Sequence, residues 1–173
     1  MQRQLVRSIV RISLDVSGNI SYFARVQDCE LDLKFTRLTS LFTEVKVLSM
    51  KATLIPTTAI RNTNLQLGAL FVAVVHEDYT ALQSIGDLVR EIPNVTYHPM
   101  PDTKPLVKTW HITPGDASEE EFYSSQGTTI SRIIPASLGG ILFWCDGPVG
   151  STGTYVCDII LEWMLLYRGM RCA

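Results

Sequence analysis

The chain has 173 residues, is 46% hydrophobic, and sets 15 Lys and Arg against 17 Asp and Glu for a net charge of −2, which suits one packed domain. That balance excludes a protein that binds nucleic acid over its whole surface, because such binding depends on many cations; a local patch or an extension would have to supply it. The apolar content excludes a largely disordered chain, and no run reaches the roughly 20 uncharged residues of a membrane helix.

The first 15 residues, MQRQLVRSIVRISLD, lack an apolar block followed by a small-residue cleavage site, so the expectation is a soluble chain that is not secreted. From Gln2 to Val16, the series Val6, Ser8, Val10, Ile12, Leu14 and Val16 alternates with Arg3, Leu5, Arg7, Ile9, Arg11, Ser13 and Asp15. This period of two predicts a strand with an apolar face and an arginine-bearing face. Ser17-Gly18-Asn19 is turn chemistry, and 32–40, DLKFTRLTS, suits a short helix or a turn. The β-branched and aliphatic run over 42–57 predicts a long strand ended by Pro56. Residues 67–76, LGALFVAVVH, predict a strand buried on both faces. The expected helix is 79–90, YTALQSIGDLVR, a connector with Ala81, Leu82, Ile85, Leu88 and Val89 on one side.

Short strands are predicted over 95–98 and 106–112, followed by an exposed acidic loop, PGDASEEE, at 114–121. A weak strand over 130–134 and a strong one over 139–145 come next, and DGPVGSTG reverses the chain. In the final stretch Tyr155, Cys157, Ile159, Leu161, Trp163, Leu165 and Tyr167 share one side, while Asp158, Glu162 and Arg168 share the other. A helix would bury the two acids, so this is a strand with one greasy face. About eight strands and one short helical insertion predict an all-β, eight-stranded antiparallel jelly-roll sandwich, one domain over 1–173. In that topology the first and last strands are antiparallel neighbours, which sets Arg7 and Arg11 beside Asp158 and Glu162. Exposed pairs of this kind contribute only ~0.2–1 kcal/mol each and act mainly on register.

The histidines, His76, His98 and His111, lie on separate elements without H-x-H or H-E-x-x-H spacing, so no metal centre and no catalytic residue is assigned. Cys29, Cys145, Cys157 and Cys172 have no C-x-x-C pair and read as free thiols. SLGGI and GPVGSTG lack the Lys-Ser/Thr ending of a phosphate loop, and no serine has a G-x-S-x-G context, so the chain is not read as an enzyme. Loop acids at Glu77, Asp78, Asp102, Asp116, Glu119 to Glu121 and Asp146 leave calcium between subunits open, with simple solvation as the other reading. Arg3, Arg7, Arg11 and Arg25, with Lys46 and Lys51, are the candidates for phosphate contact, since a guanidinium fork fits phosphate oxygens. Pairing with Asp158 and Glu162 is the competing, compatible role.

The segment FTRLTSLFTEVKVLSMKATLIPTT resembles the helix-to-strand entry of the single jelly-roll coat proteins of small icosahedral viruses, tombusvirus-like RNA viruses and small circular single-stranded DNA viruses among them. GGILFWCDGPVGSTGTYVCDIILEWMLLYRG resembles their last two strands and the turn between them, including Glu162-Trp163 and Tyr167-Arg168-Gly169. Such coats commonly begin with a strongly basic arm; here MQRQLVR carries at most its beginning, at 1–4.

The resemblance implies a capsid protein that self-assembles into an icosahedral shell around a small single-stranded RNA or DNA genome. Its location would be the virion, and the host cytoplasm or nucleus during assembly, with no membrane partner. The nucleic-acid-facing residues would then be Arg3, Arg7, Arg11 and Arg25. Tyr79, Tyr97, Met100, Phe122 and Tyr123, aromatic or Met residues in predicted loops or at element ends, are the candidates for subunit contacts. The alternative is a jelly-roll binding module, lectin-like or cytokine-like, which would gather Trp110, Asp116 and Tyr123 at one loop end.

Overall fold

The computed structural model describes residues 1–13, 20–56, 70–77, 87, 92–98, 104–113, 121–124, 133–145 and 155–171. These form β1 (Gln2–Ser13), β2 (Ile20–Arg25), a 3-10 turn (Val26–Leu31), α1 (Leu33–Leu41), β3 (Phe42–Pro56), β4 (Leu70–Val75), β5 (Thr96–His98), β6 (Leu106–His111), β7 (Tyr123–Ser124), a second 3-10 turn (Ala136–Leu138), β8 (Gly140–Cys145) and β9 (Tyr155–Met170). One sheet has the order β1-β9-β3-β6, with β7 added to β3, and the other the order β2-β8-β4-β5. The strand pairs are antiparallel throughout. Two facing sheets in which the first strand lies beside the last are the jelly-roll sandwich that the alternation predicted.

The arginine face of β1 lies beside the acidic face of β9, as expected, and the register sets Arg7 opposite Glu162 and Arg11 opposite Asp158. Burial follows the same parity: Cys157, Ile159, Leu161, Trp163, Leu165 and Tyr167 are all buried, and the residues between them are only partly covered. Trp163 packs between Val6 and Met50, its neighbours across β1 and β3. On β3 the pairing slips between Val47 and Ser49, leaving Leu48 as an extra residue. The bulge flips the parity of the strand, so odd residues Val45 and Val47 but even residues Met50, Ala52 and Leu54 point into the core.

The second sheet is covered on both faces. Ile20, Ala24, Leu70, Val72, Ile141 and Phe143 join the main core. Ala73, Val75, Leu142 and Trp144 form a second apolar cluster outside it, with Ile92 and with Phe23, Phe71 and Val95 against it. β8 is therefore buried at every position.

Several expectations need correction. β2 was not predicted, and the strand expected over 130–134 is absent where it is described, because Ile133 and Ile134 form a bend. Ile134 is held by its backbone N–H donating to the Glu30 carboxylate, not by a ladder. β7 lies just past the loop expected over 114–121, in a stretch to which no strand is assigned. The described helix is α1, where helix and turn had both been left open; its N-cap is Asp32, whose side chain accepts from Lys34 N at 2.7 Å. The helix expected over 79–90 lies outside the described residues except for Asp87, which is helical. Gln2, Arg3 and Gln4, set aside as the beginning of an arm, pair with Tyr167, Leu166 and Leu165 within β1. No helix among the described residues is long and apolar enough to cross a membrane.

Candidate functional site

The outer face of the β1-β9-β3-β6 sheet collects the predicted arginines. Reading across the strands, Arg7, Glu162, Lys51 and Thr109 form one row, and Ile9, Ile160, Thr53 and Val107 form the next. Arg11, Asp158 and Ile55 follow, and Arg3, Leu166 and Lys46 lie toward the other end. Charged rows thus alternate with apolar ones. Ile9 is 65% exposed, which a monomer's fold does not require.

Glu162 is the hub of this face. Arg7 Nε donates to its Oε1 at 2.9 Å, the Arg7 Nη2 joins the same oxygen, and Lys51 Nζ stands 3.2 Å from Oε2. The Arg7 hydrogen bond holds the Glu162 carboxyl below the usual carboxylate range, against the opposing effect of burial. Arg11 Nε lies 3.9 Å from Asp158, a looser pair. At the far end Arg168 bonds the Glu44 carboxylate, which lowers the carboxyl's pKa and raises that of the guanidinium. The Arg168 guanidinium also sits 3.8 Å over the Phe122 ring.

Because the Glu162 pKa is depressed on folding, its contribution is present above the unfolded value of about 4.5 and lost as pH falls below it. Urea unfolding between pH 6 and 3 should therefore show stability falling with acid, and Glu162→Gln should flatten that fall while weakening the protein at pH 7. An unchanged pH slope in the variant would mean that other carboxylates govern it.

On the outer face, among the described residues of these four strands, the cations Arg3, Arg7, Arg11, Lys46, Lys51 and Arg168 stand with the carboxylates Glu44, Asp158 and Glu162, an excess of three positive charges; Lys108 of β6, opposite Ala52, lies on the other face. A net negative chain thus keeps one basic sheet face. Arg25 does not belong to it: it ends β2 in the other sheet, its guanidinium 5.6 Å from the Phe23 ring and its backbone N–H bonded to Asp28.

The predicted contact residues separate. Tyr97 is 60% exposed on the edge strand β5 and meets Phe71 edge-on. Phe122 is engaged by Arg168, and Tyr123 packs on the core; Tyr79 and Met100 lie outside the described residues. The sequence missed Leu31, Leu33, Leu41 and Met170, exposed apolar side chains near one end of the sandwich. Only a register and a helix phase could have revealed them.

The histidines do not converge. His76 Nδ1 is 3.2 Å from Thr113 Oγ1, His98 is buried opposite Leu70, and His111 is exposed opposite Ser49. No group of three metal-ligating side chains occurs among the described residues. A cleft of about 290 Å³ beside β5 is lined by Phe71, Ile92, Pro93, Asn94, Val95 and Tyr97, without a carboxylate, histidine or thiol. Trp110, the aromatic that a sugar-binding end would need exposed, is buried in the core.

No family model and no curated protein matches the chain significantly. Solved structures do. The chain is similar to the BFDV capsid protein in its 60-mer form, with a TM-score of 0.61, 13% identity, and coverage of 99% of this chain and 94% of that one. It is similar to the tobacco necrosis virus structure at TM-score 0.61 and 11% identity, covering 99% and 98%. A T=1 subviral particle of a Penaeus vannamei nodavirus capsid deletion mutant gives TM-score 0.59 and 12% identity, covering 99% of each chain. Identities this low speak for the fold, and over nearly its whole length the chain has the single jelly-roll fold of these particle-forming proteins.

Proposed function

We propose that the chain is the coat subunit of a small icosahedral virus, assembling as many copies of itself into a shell around a single-stranded genome. The observation that carries this reading is the strand order, β1-β9-β3-β6 facing β2-β8-β4-β5, combined with end-to-end likeness to coat proteins of about the same length. The role is structural and not enzymatic. The basic face built from Arg3, Arg7 and Arg11 is the surface turned toward nucleic acid, and Tyr97 lies on a subunit contact. The 1–173 chain acts as one shell domain. Its site of action is the virion, reached by assembly in the host cytoplasm or nucleus. The binding-module alternative is weakened by the burial of Trp110.

Electron microscopy of the purified protein, with ultraviolet absorbance on the same sample, tests assembly and packaging together. Closed uniform particles are expected; monomers under all assembly conditions would overturn the coat reading. The double variant Arg7→Glu with Arg11→Glu places carboxylates opposite Glu162 and Asp158, which costs roughly 0.5–2 kcal/mol per pair, the lost attraction plus a like-charge contact, and leaves the core side chains unchanged. It should lower the slope of log affinity for single-stranded nucleic acid against log salt by roughly two, one per lost phosphate contact. A wild-type slope in the folded variant would remove nucleic acid from this face.

A further inference from the structure

We propose that the end of the sandwich formed by the first 3-10 turn, α1 and the last residues of β9 docks a second copy of this chain. This rests on the coat reading and names the surface that serves it. Leu31 and Leu33 are each 75% exposed, Leu41 53% and Met170 74%. The fold sets them in two pairs about 12 Å apart, one at each end of α1: Phe42 pairs with Met170 and Arg171 N donates to Leu41 O at 2.9 Å, while α1 packs on the turn that ends at Leu31, beside Leu33. Within α1, Phe35 is buried and Leu38 packs against the core. Positions 33, 37 and 41, spaced by four, therefore share the outward side. A helix serving only its own fold would be polar there.

The four side chains offer roughly 500 Å² of largely apolar surface, at the upper end of what a monomer leaves exposed and more than half of the ~800 Å² per partner of a standard interface. Around the patch stand the cations Lys34, Arg37 and Arg171 and the carboxylates Asp28, Glu30 and Asp32; of these, Asp28 and Glu30 are turned to the backbone N–H groups of Arg25 and Ile134, and Lys34 Nζ to the Leu5 carbonyl. Arg37, exposed on the outward side of α1 between Leu33 and Leu41, would meet its own copy if two such patches lay face to face, so the neighbour presents a carboxylate to it. The described acid that fits is Glu121, exposed just before β7, on the side of β3 away from β9. Patch against acidic edge is a heterologous contact, the kind that propagates from copy to copy until a ring closes.

The test compares wild type with Leu33→Lys/Leu41→Lys by electron microscopy and sedimentation velocity. Both positions are exposed, so the variant should keep its circular dichroism spectrum while self-association weakens about tenfold or more. Leu41→Ser and Met170→Ser, singly, carry the same test if the double variant does not fold. Wild-type particle yield from a folded variant overturns the proposal. Arg37→Glu should impair assembly, and adding Glu121→Arg in the same chain should restore it; no recovery overturns the pairing with the acidic edge. If the wild type forms no particles, the coat reading falls. Sedimentation then still decides the patch: smaller oligomers lost in the variants support it, and identical sedimentation overturns it.

Discussion

Gly139→Ala is expected to destabilise the fold severely. Gly139 has φ +79°, where a side chain costs about 1–2 kcal/mol. A Cβ there would also collide with the Val75 carbonyl and stand 2.8 Å from both Glu77 N and His76 Cα. All three are backbone atoms, so no side-chain rotation relieves the clash, and overpacking of this kind adds about 1–3 kcal/mol. The residue further anchors the turn after β2 by accepting a hydrogen bond from Val26 N at 2.9 Å. Against a total stability of about 5–15 kcal/mol, the combined loss should appear as insoluble expression or a large fall in the urea midpoint. A variant with the wild-type midpoint would show that the β4 end moves aside at little cost.

Trp163→Ala should cost about 3–5 kcal/mol, because it empties the middle of the central strand where β1 and β3 both lean on the indole. The matched control is Val107→Ala on the outer face of β6, 48% exposed, expected within about 0.5 kcal/mol of wild type. Chemical denaturation of the two variants checks both values, and equal midpoints would mean that the core is not organised around Trp163.

The long strands were legible because each buries one face and wets the other. β1 and β9 alternate cleanly, and from their adjacency in a jelly roll followed the juxtaposition of Arg7 and Arg11 with Asp158 and Glu162; which arginine meets which acid came only with the register. β2 was hidden by the same physics: Phe23 points away from the core into the second apolar cluster, so ISYFAR shows no alternation. The two-residue β7 is too short to have a period. The bulge at Leu48 has no sequence signature, and without it the faces of β3 cannot be assigned past Val47. At the candidate site, Arg3, Arg7 and Arg11 were found because they share one strand. Arg25 stands apart from them in the other sheet, because the sequence does not say which sheet a strand enters. The exposed end at Leu33 and Met170 was out of reach, since an apolar residue declares burial in a sequence and exposure only in three dimensions.

The central position of β9 also orders events during synthesis. Arg7 and Glu162 are 155 residues apart, and β9 is the strand that separates β1 from β3. At about 5–20 residues per second, β1 waits roughly 8–30 s for its only strand partner among the described residues. Until then its arginine row has no Glu162 or Asp158 beside it, and the Val6 face lies open to chaperones. Nascent chains crowded on one message thus cannot build this sheet early, so the surface proposed to meet the genome comes into being only on finished subunits.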